Sequence, residues 1–215
     1  MEQHSDSDDS ELIRAAAAGD GAALASLWQQ HSPRLRRMIH LRLDRRLRRR
    51  VDPSDILQEA FLDLADRLPD YARERPLPIF LWIRLVAGQR LMQVHRRHLG
   101  TARRDAGREV SLNAGGLPQA SSASLAAQLL GRFTTASQAA ARAELRLRLE
   151  QALNAMDAID REIIALRHFE ELSNGEVAQV LALSKAAASK RYVRALTRLQ
   201  TVLEGMPEFG GSRPE

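Results

Sequence analysis

A chain of 215 residues can form one domain or two small ones, and its 44% apolar content is enough for real cores. Only 4% is aromatic and β-branched runs are almost absent, so small cores of Leu, Ala and Ile favour helices over a β-sandwich and the chain reads as all-α. The net charge of +5 is carried almost wholly by Arg, a first hint of a nucleic-acid partner, and the lack of cysteine excludes disulfides and thiolate zinc sites and suits a reducing cytoplasm.

Residues 1–9 are acidic and polar, the opposite of a signal peptide, and are expected to be a disordered lead-in. Ser10 or Asp9 is placed to cap a first helix through Ala18, and Gly19-Asp20-Gly21 breaks it. A second helix is expected from about Ala22 to Arg50, with Pro33 kinking or dividing it. Leu35, Met38, Ile39, Leu41 and Leu43 punctuate the arginines and make part of it amphipathic. The run Arg45–Arg50 reads equally as a nucleic-acid contact or as a solvated face countering the acidic helix that follows.

That third helix opens at Asp52, a cap, followed by Pro53 at the first helical position, where no N–H is needed. Leu57, Ala60, Phe61, Leu64 and Leu68 form an apolar stripe, while Asp55, Gln58, Glu59, Leu62 and Asp66 fall largely on another face. A solvated face has no need of a Gln-Glu pair beside an exposed Leu; a docking face does. Pro69, Pro76 and Pro78 mark a connecting loop, and a fourth helix runs from Ile79 to about His98. His95 and His98 stand at metal-pair spacing, but no third ligand is near and the arginines around them repel a cation.

Residues 101–140 then read as a linker with a short helical piece near Leu125–Leu130. Leu145, Leu149, Ala152, Leu153 and Met156 define the next amphipathic helix. Asp160 is placed to cap another, with Ile163, Ile164 and Leu166 facing inward. Ser173 and Glu176 form a capping box, and Leu172 with Val177 a hydrophobic staple. This short helix ends near Leu181, Ala182-Leu183 make a tight turn, and Ser184 caps a second helix opening in small and basic residues. That is the helix-turn-helix plan, in which the second helix enters the major groove by its N-terminal end. Lys185, Ser189, Lys190, Arg191 and Arg194 are candidates for bases or phosphates; Val193, Leu196 and Leu199 are expected to pack inward. The alternative is an ordinary helical hairpin with a solvated basic face. Residues 205–215 read as a tail.

Taken together, the two ends resemble a bacterial RNA polymerase sigma factor of the sigma-70 family, in size and layout its extracytoplasmic-function (ECF) subgroup. Asp52-x-x-Asp55-x-x-Gln58-Glu59-x-Phe61 is similar to the polymerase-binding helix of region two. The resemblance implies that Asp55, Gln58, Glu59 and Leu62 dock on the coiled coil of the polymerase β′ subunit. Phe80-Leu-Trp-Ile-Arg84, Arg90 and His95-Arg-Arg97 resemble the strand-opening and −10-reading segment. Such a segment needs flat groups for unstacked bases and cations for the displaced backbone. Phe80 and Trp82 are candidates for the first, unless they are core; Arg84, Arg90, Arg96 and Arg97 are candidates for the second. Gln89 and Gln93 stand where many members carry Asn and Asp. Residues 10–100 thus resemble region two, and residues 141–204 resemble region four, which reads the −35 element and meets the polymerase β flap.

The implied function is a dissociable promoter-specificity subunit whose partners are core RNA polymerase and promoter DNA, with room for an anti-sigma factor. Binding energy drives melting in that family, so no nucleotide hydrolysis is required. The alternative is a stand-alone LuxR-type helix-turn-helix regulator, which would carry a receiver or ligand domain in front, typically α/β. No P-loop, G-x-S-x-G or H-E-x-x-H is present, so no enzyme activity, cofactor or metal is expected. No apolar run approaches the roughly 18–20 residues of a membrane span, and the expected location is the cytoplasm.

Overall fold

The computed structural model describes residues 3–99, 117–131 and 139–204. Most of the expected linker and the expected tail at 205–215 lie outside these residues. Among the described residues all regular structure is helical, as composition required. The order is α1 (Gln3–Ala17), α2 (Gly21–Arg42), α3 (Pro53–Glu74), α4 (Ile79–Leu99), α5 (Ser122–Gly131), α6 (Ala139–Asn154), α7 (Ala158–Ile164), α8 (Asn174–Val180) and α9 (Lys185–Glu204). They fall into two compact units, Met1–Pro118 and Gln119–Glu215.

In the first unit α1 begins at Gln3, inside the stretch expected to be disordered, and buries Ile13 and Ala16. Gly19 takes φ +97° to end the segment, a conformation that costs glycine little. The Asp20 carboxylate then accepts the N–H groups of Ala22 and Ala23 at 2.8 and 3.1 Å and starts α2. Pro33 does not divide α2, which runs through it with Leu27, Leu35, Met38 and Ile39 buried on one side. The helix stops at Arg42 rather than Arg50. The Asp44 side chain accepts the Arg46 N–H at 2.8 Å, and this local bond starts a turn in place of another helical one.

Asp52 and Pro53 open α3 as expected: the Asp52 carboxylate accepts the Ser54 N–H at 2.8 Å, which holds its carboxyl below the usual range. Pro69 lies inside α3 and does not end it. The helix continues because Leu68 and Tyr71 are buried beyond it, and the Tyr71 hydroxyl donates to the Leu77 carbonyl at 2.9 Å. Arg75, at φ 42°, closes the helix. Across the core Tyr71 stacks on Trp82 of α4 at 4.4 Å. The chain meets this unit again at Leu117, which is buried over Gly88. A Cβ on Gly88 would overlap the Leu117 side chain, which would have to move, so glycine lets Leu117 pack directly on α4. Buried Arg42 donates to the Pro118 carbonyl at 2.9 Å.

In the second unit α5 occupies part of the stretch read as linker and packs on α6 with Leu125, Ala126, Leu129 and Leu130 buried. Leu145, Leu149, Leu153 and Met156 are buried as expected. So are Ile163, Ile164 and Leu166, the last in a π-helical turn, Ala165–Phe169, that ends α7. Such one-turn bulges widen a helix locally. The capping box of α8 is present, with Glu176 N–H to Ser173 Oγ at 3.2 Å and Ser173 N–H to Glu176 Oε2 at 2.7 Å. Leu172 and Val177 are both buried beside it, as a staple requires.

Candidate functional site

On α3 the residues Asp55, Gln58, Glu59 and Leu62 stand at i, i+3, i+4 and i+7 and share one face. Leu57, Ala60, Leu64 and Leu68 bury the opposite side and fix the rotation of the helix. Asp55 and Gln58 are exposed, Glu59 is half-exposed, and Leu62 is 59% exposed although it is apolar. The face is therefore polar at its edges with an uncovered leucine among carboxylates and an amide.

The fourth helix separates the candidates into two groups. Phe80, Trp82 and Arg84 are core residues: Phe80 lies under the Arg34 guanidinium at 3.4 Å, Trp82 stacks on Tyr71, and Arg84 is only 4% exposed. Their side chains are core, so the alternative raised for Phe80 and Trp82 is the one observed, and none of the three is presented at the surface for a base or a displaced strand. Five consecutive apolar residues, Ile79–Ile83, were the signal, because a helix apolar all round is buried. Gln89, Gln93, Arg96 and Arg97 are exposed at i, i+4, i+7 and i+8, on one face. Arg90 lies between them but is engaged: it pairs with both Asp63 oxygens at 2.9 and 2.5 Å, donates to Gln93 Oε1 at 3.0 Å, and stands 3.6 Å from Glu59. The hydrogen bond that Arg90 donates to Asp63 raises the Arg90 pKa further. Arg67 donates to Gln89 Oε1 at 2.7 Å, which leaves the Gln89 amide N–H groups to point elsewhere.

In the second unit the turn between α8 and α9 is a Schellman closure. The Leu183 N–H reaches the Ala178 carbonyl at 2.8 Å and the Ala182 N–H reaches Gln179 at 3.4 Å, with Ala182 at φ 52°. Ser184 Oγ accepts the Ala187 N–H at 3.1 Å and starts α9. Asn174 donates to the Lys185 carbonyl at 2.8 Å, tying the starts of α8 and α9 together. Lys185, Ser189 and Lys190 are exposed at the start of α9.

Arg191 and Arg194 are instead engaged by a carboxylate of α7, Arg191 half-buried and Arg194 still exposed. Asp160, 0% exposed, accepts Arg191 at 2.6 Å and Arg194 at 3.0, 2.9 and 2.7 Å. Asp157 stands 3.7 Å from both. Asp160 is therefore not a cap. Asp157 is the residue that precedes α7, and Asp160 is the anchor that clamps α9 to it. Val193 and Leu196, expected inside, are exposed, Val193 by 59%. The buried residues are Ala188, Ala195 and Leu199, and that phase turns Val193 outward. Sequence reasoning also missed Asp63, Arg67 and Asn174. An acid three positions before the inward Ile163 was the available signal for Asp160. Among the described residues no cluster of His, Asp or Glu could hold a metal, and no helix is long and apolar enough to cross a membrane.

Comparison with known proteins bears on family and fold. Residues 6–205 match the ECF sigma factor family. The chain is 28% identical over 189 residues to ECF RNA polymerase sigma factor SigD of Mycobacterium tuberculosis and of Mycobacterium bovis, covering 88% of this chain and 81% of each relative. A solved structure of CnrH in complex with the cytosolic domain of CnrY superposes with a TM-score of 0.52 at 22% identity, covering 92% of this chain and 97% of CnrH. That likeness is one of fold.

Proposed function

The chain belongs to the ECF sigma factor family and directs promoter-specific transcription with core RNA polymerase and promoter DNA as its partners, and from that premise we propose how its residues divide the work. The α3 face carries the reading. Asp55, Gln58, Glu59 and Leu62 dock on the β′ coiled coil, which would cover the exposed Leu62. Gln89, Gln93, Arg96 and Arg97 face the −10 element, with Arg90 positioning Gln93 through the Asp63 pair. Lys185, Ser189 and Lys190 meet the −35 element, and the same unit meets the β flap. Arg191 and Arg194 hold α9 in place and do not read bases. Regions two and four correspond to residues 10–100 and 141–204.

Each set of contacts is weak alone, and joining them in one chain raises the effective concentration of the second. The protein acts as a specificity subunit in the cytoplasm and not as an enzyme. CnrH is solved with a second protein bound, which supports an anti-sigma partner here too. The stand-alone LuxR-type reading falls, because the family match spans both units and the first unit's described residues contain no strand.

The test is capture of purified core polymerase by the full chain and by its Gln58→Ala/Glu59→Ala variant. Capture that the variant loses, with an unchanged circular dichroism spectrum, supports the docking face. Equal capture by both removes it.

A further inference from the structure

Between α2 and α3 the chain makes tight turns, with Leu47 N–H to Asp44 carbonyl at 2.9 Å and Arg50 N–H to Leu47 carbonyl at 2.8 Å. Leu47 is buried and pins the turn, so the arginines around it point outward. Two of them build it. Arg46 pairs with Asp44 at 2.8 Å, and Arg48 donates to the His40 and Leu43 carbonyls at 2.8 and 3.4 Å, at the end of α2. Arg45, Arg49 and Arg50 are exposed and have no carboxylate partner among the described residues. None of them forms an ion pair with α3 among the described residues, and Glu59 and Asp63 of α3 are engaged by Arg90 of α4 instead.

The turn also abuts the end of α4, where the Asp44 N–H reaches His95 Nε2 at 3.4 Å. Arg96 and Arg97, next in sequence, are exposed and likewise have no carboxylate partner among the described residues.

We propose that Arg45, Arg49 and Arg50 bind the phosphate backbone of promoter DNA, extending the α4 surface across the α2–α3 turn. The proposal rests on the reading of α4 given above. Guanidinium forks match phosphate oxygens, and a set of them on a turn follows a backbone without reading its sequence. These arginines therefore position the duplex and leave base choice to others.

The test uses the full chain assembled on core polymerase. The variant Arg45→Gln/Arg49→Gln/Arg50→Gln keeps Arg46, Leu47 and Arg48, which hold the turn. Its melting temperature should match the parent; if it does not, the single Arg49→Gln variant replaces it. Promoter and non-promoter duplexes are titrated over a salt series. The expected result is equal assembly with core, several-fold weaker binding to both duplexes, and a log K against log salt slope shallower by about 1–3, or by about 0.9 for the single variant. An unchanged slope overturns the proposal. Lost assembly with core also overturns it and assigns the turn to an acidic polymerase surface. Failure of the parent chain to bind core would count against the sigma reading instead, and the same titration on the free chain would then decide the turn by its slope.

Discussion

Asp160 shows what one residue does to a functional reading. A fully buried carboxylate needs partners, and α9 supplies two guanidinium groups to one carboxylate. Replacing Asp160 with Asn keeps the shape and removes the charge. The expected cost is about 2–3 kcal/mol in the second unit's unfolding, read by denaturant titration, because two cations lose their counter-charge while remaining partly hydrated. Arg194→Ala should cost more than Arg191→Ala, since Arg194 supplies three of the four hydrogen bonds. If either substitution left stability unchanged and altered −35 base preference, Arg191 and Arg194 would be readers after all. A second single-residue effect concerns His95. Burial lowers its pKa from 6.5, and its Nε2 accepts the Asp44 N–H. The unfolded chain binds that proton more readily than the folded one, so stability is present above about pH 6.5 and is lost as pH falls toward the folded pKa. His95→Gln should blunt this loss in a pH series of melting temperatures.

At the scale of elements, the α8–α9 pair is set by its ends. Ser173 and Glu176 satisfy each other's backbone donors at the start of α8, so Ser173→Ala should cost about 1 kcal/mol. At the other end Ala182 sits at φ 52°, which an L-residue adopts at a cost of about 1 kcal/mol. Ala182→Gly should therefore raise stability by up to about 0.5–1 kcal/mol in thermal unfolding. A loss of stability would mean that the Ala182 methyl contributes more than its backbone costs. The α3 and α4 helices show a different balance. Each presents one exposed polar face, and the Arg90–Asp63 pair joins them where those faces meet. The docking proposed for α3 and the DNA contact proposed for α4 would thus share one support.

For the whole molecule, the two units should be separable in function. Lys185→Gln/Lys190→Gln should leave core capture unchanged and weaken promoter binding by the assembled polymerase, with the salt slope falling by about 1 for each phosphate that is no longer neutralised. The α3 variant should lose capture, and with it promoter binding by the assembled polymerase, while the helix-turn-helix stays folded. Loss of core capture in the Lys185→Gln/Lys190→Gln variant would mean that the units do not act as two tethered binding modules.

The sequence by itself determined the features whose causes lie within a turn or two of chain. The Asp52-Pro53 start, the capping box, the tight turn at Ala182 and the two faces of α3 depend on neighbours at i+2 to i+7, so spacing reveals them. The family resemblance drew on the same local patterns. Only the tertiary structure decided where Phe80, Trp82, Arg84, Arg191 and Arg194 sit and what they touch. Arg191 and Arg194 meet Asp160 across 31 and 34 residues of chain, and Trp82 meets Tyr71 across a helix crossing. An arginine that salt-bridges inward and one that reaches for DNA have the same spacing and the same chemistry. What distinguishes them is a buried carboxylate on another helix, and helical periodicity carries no information about that.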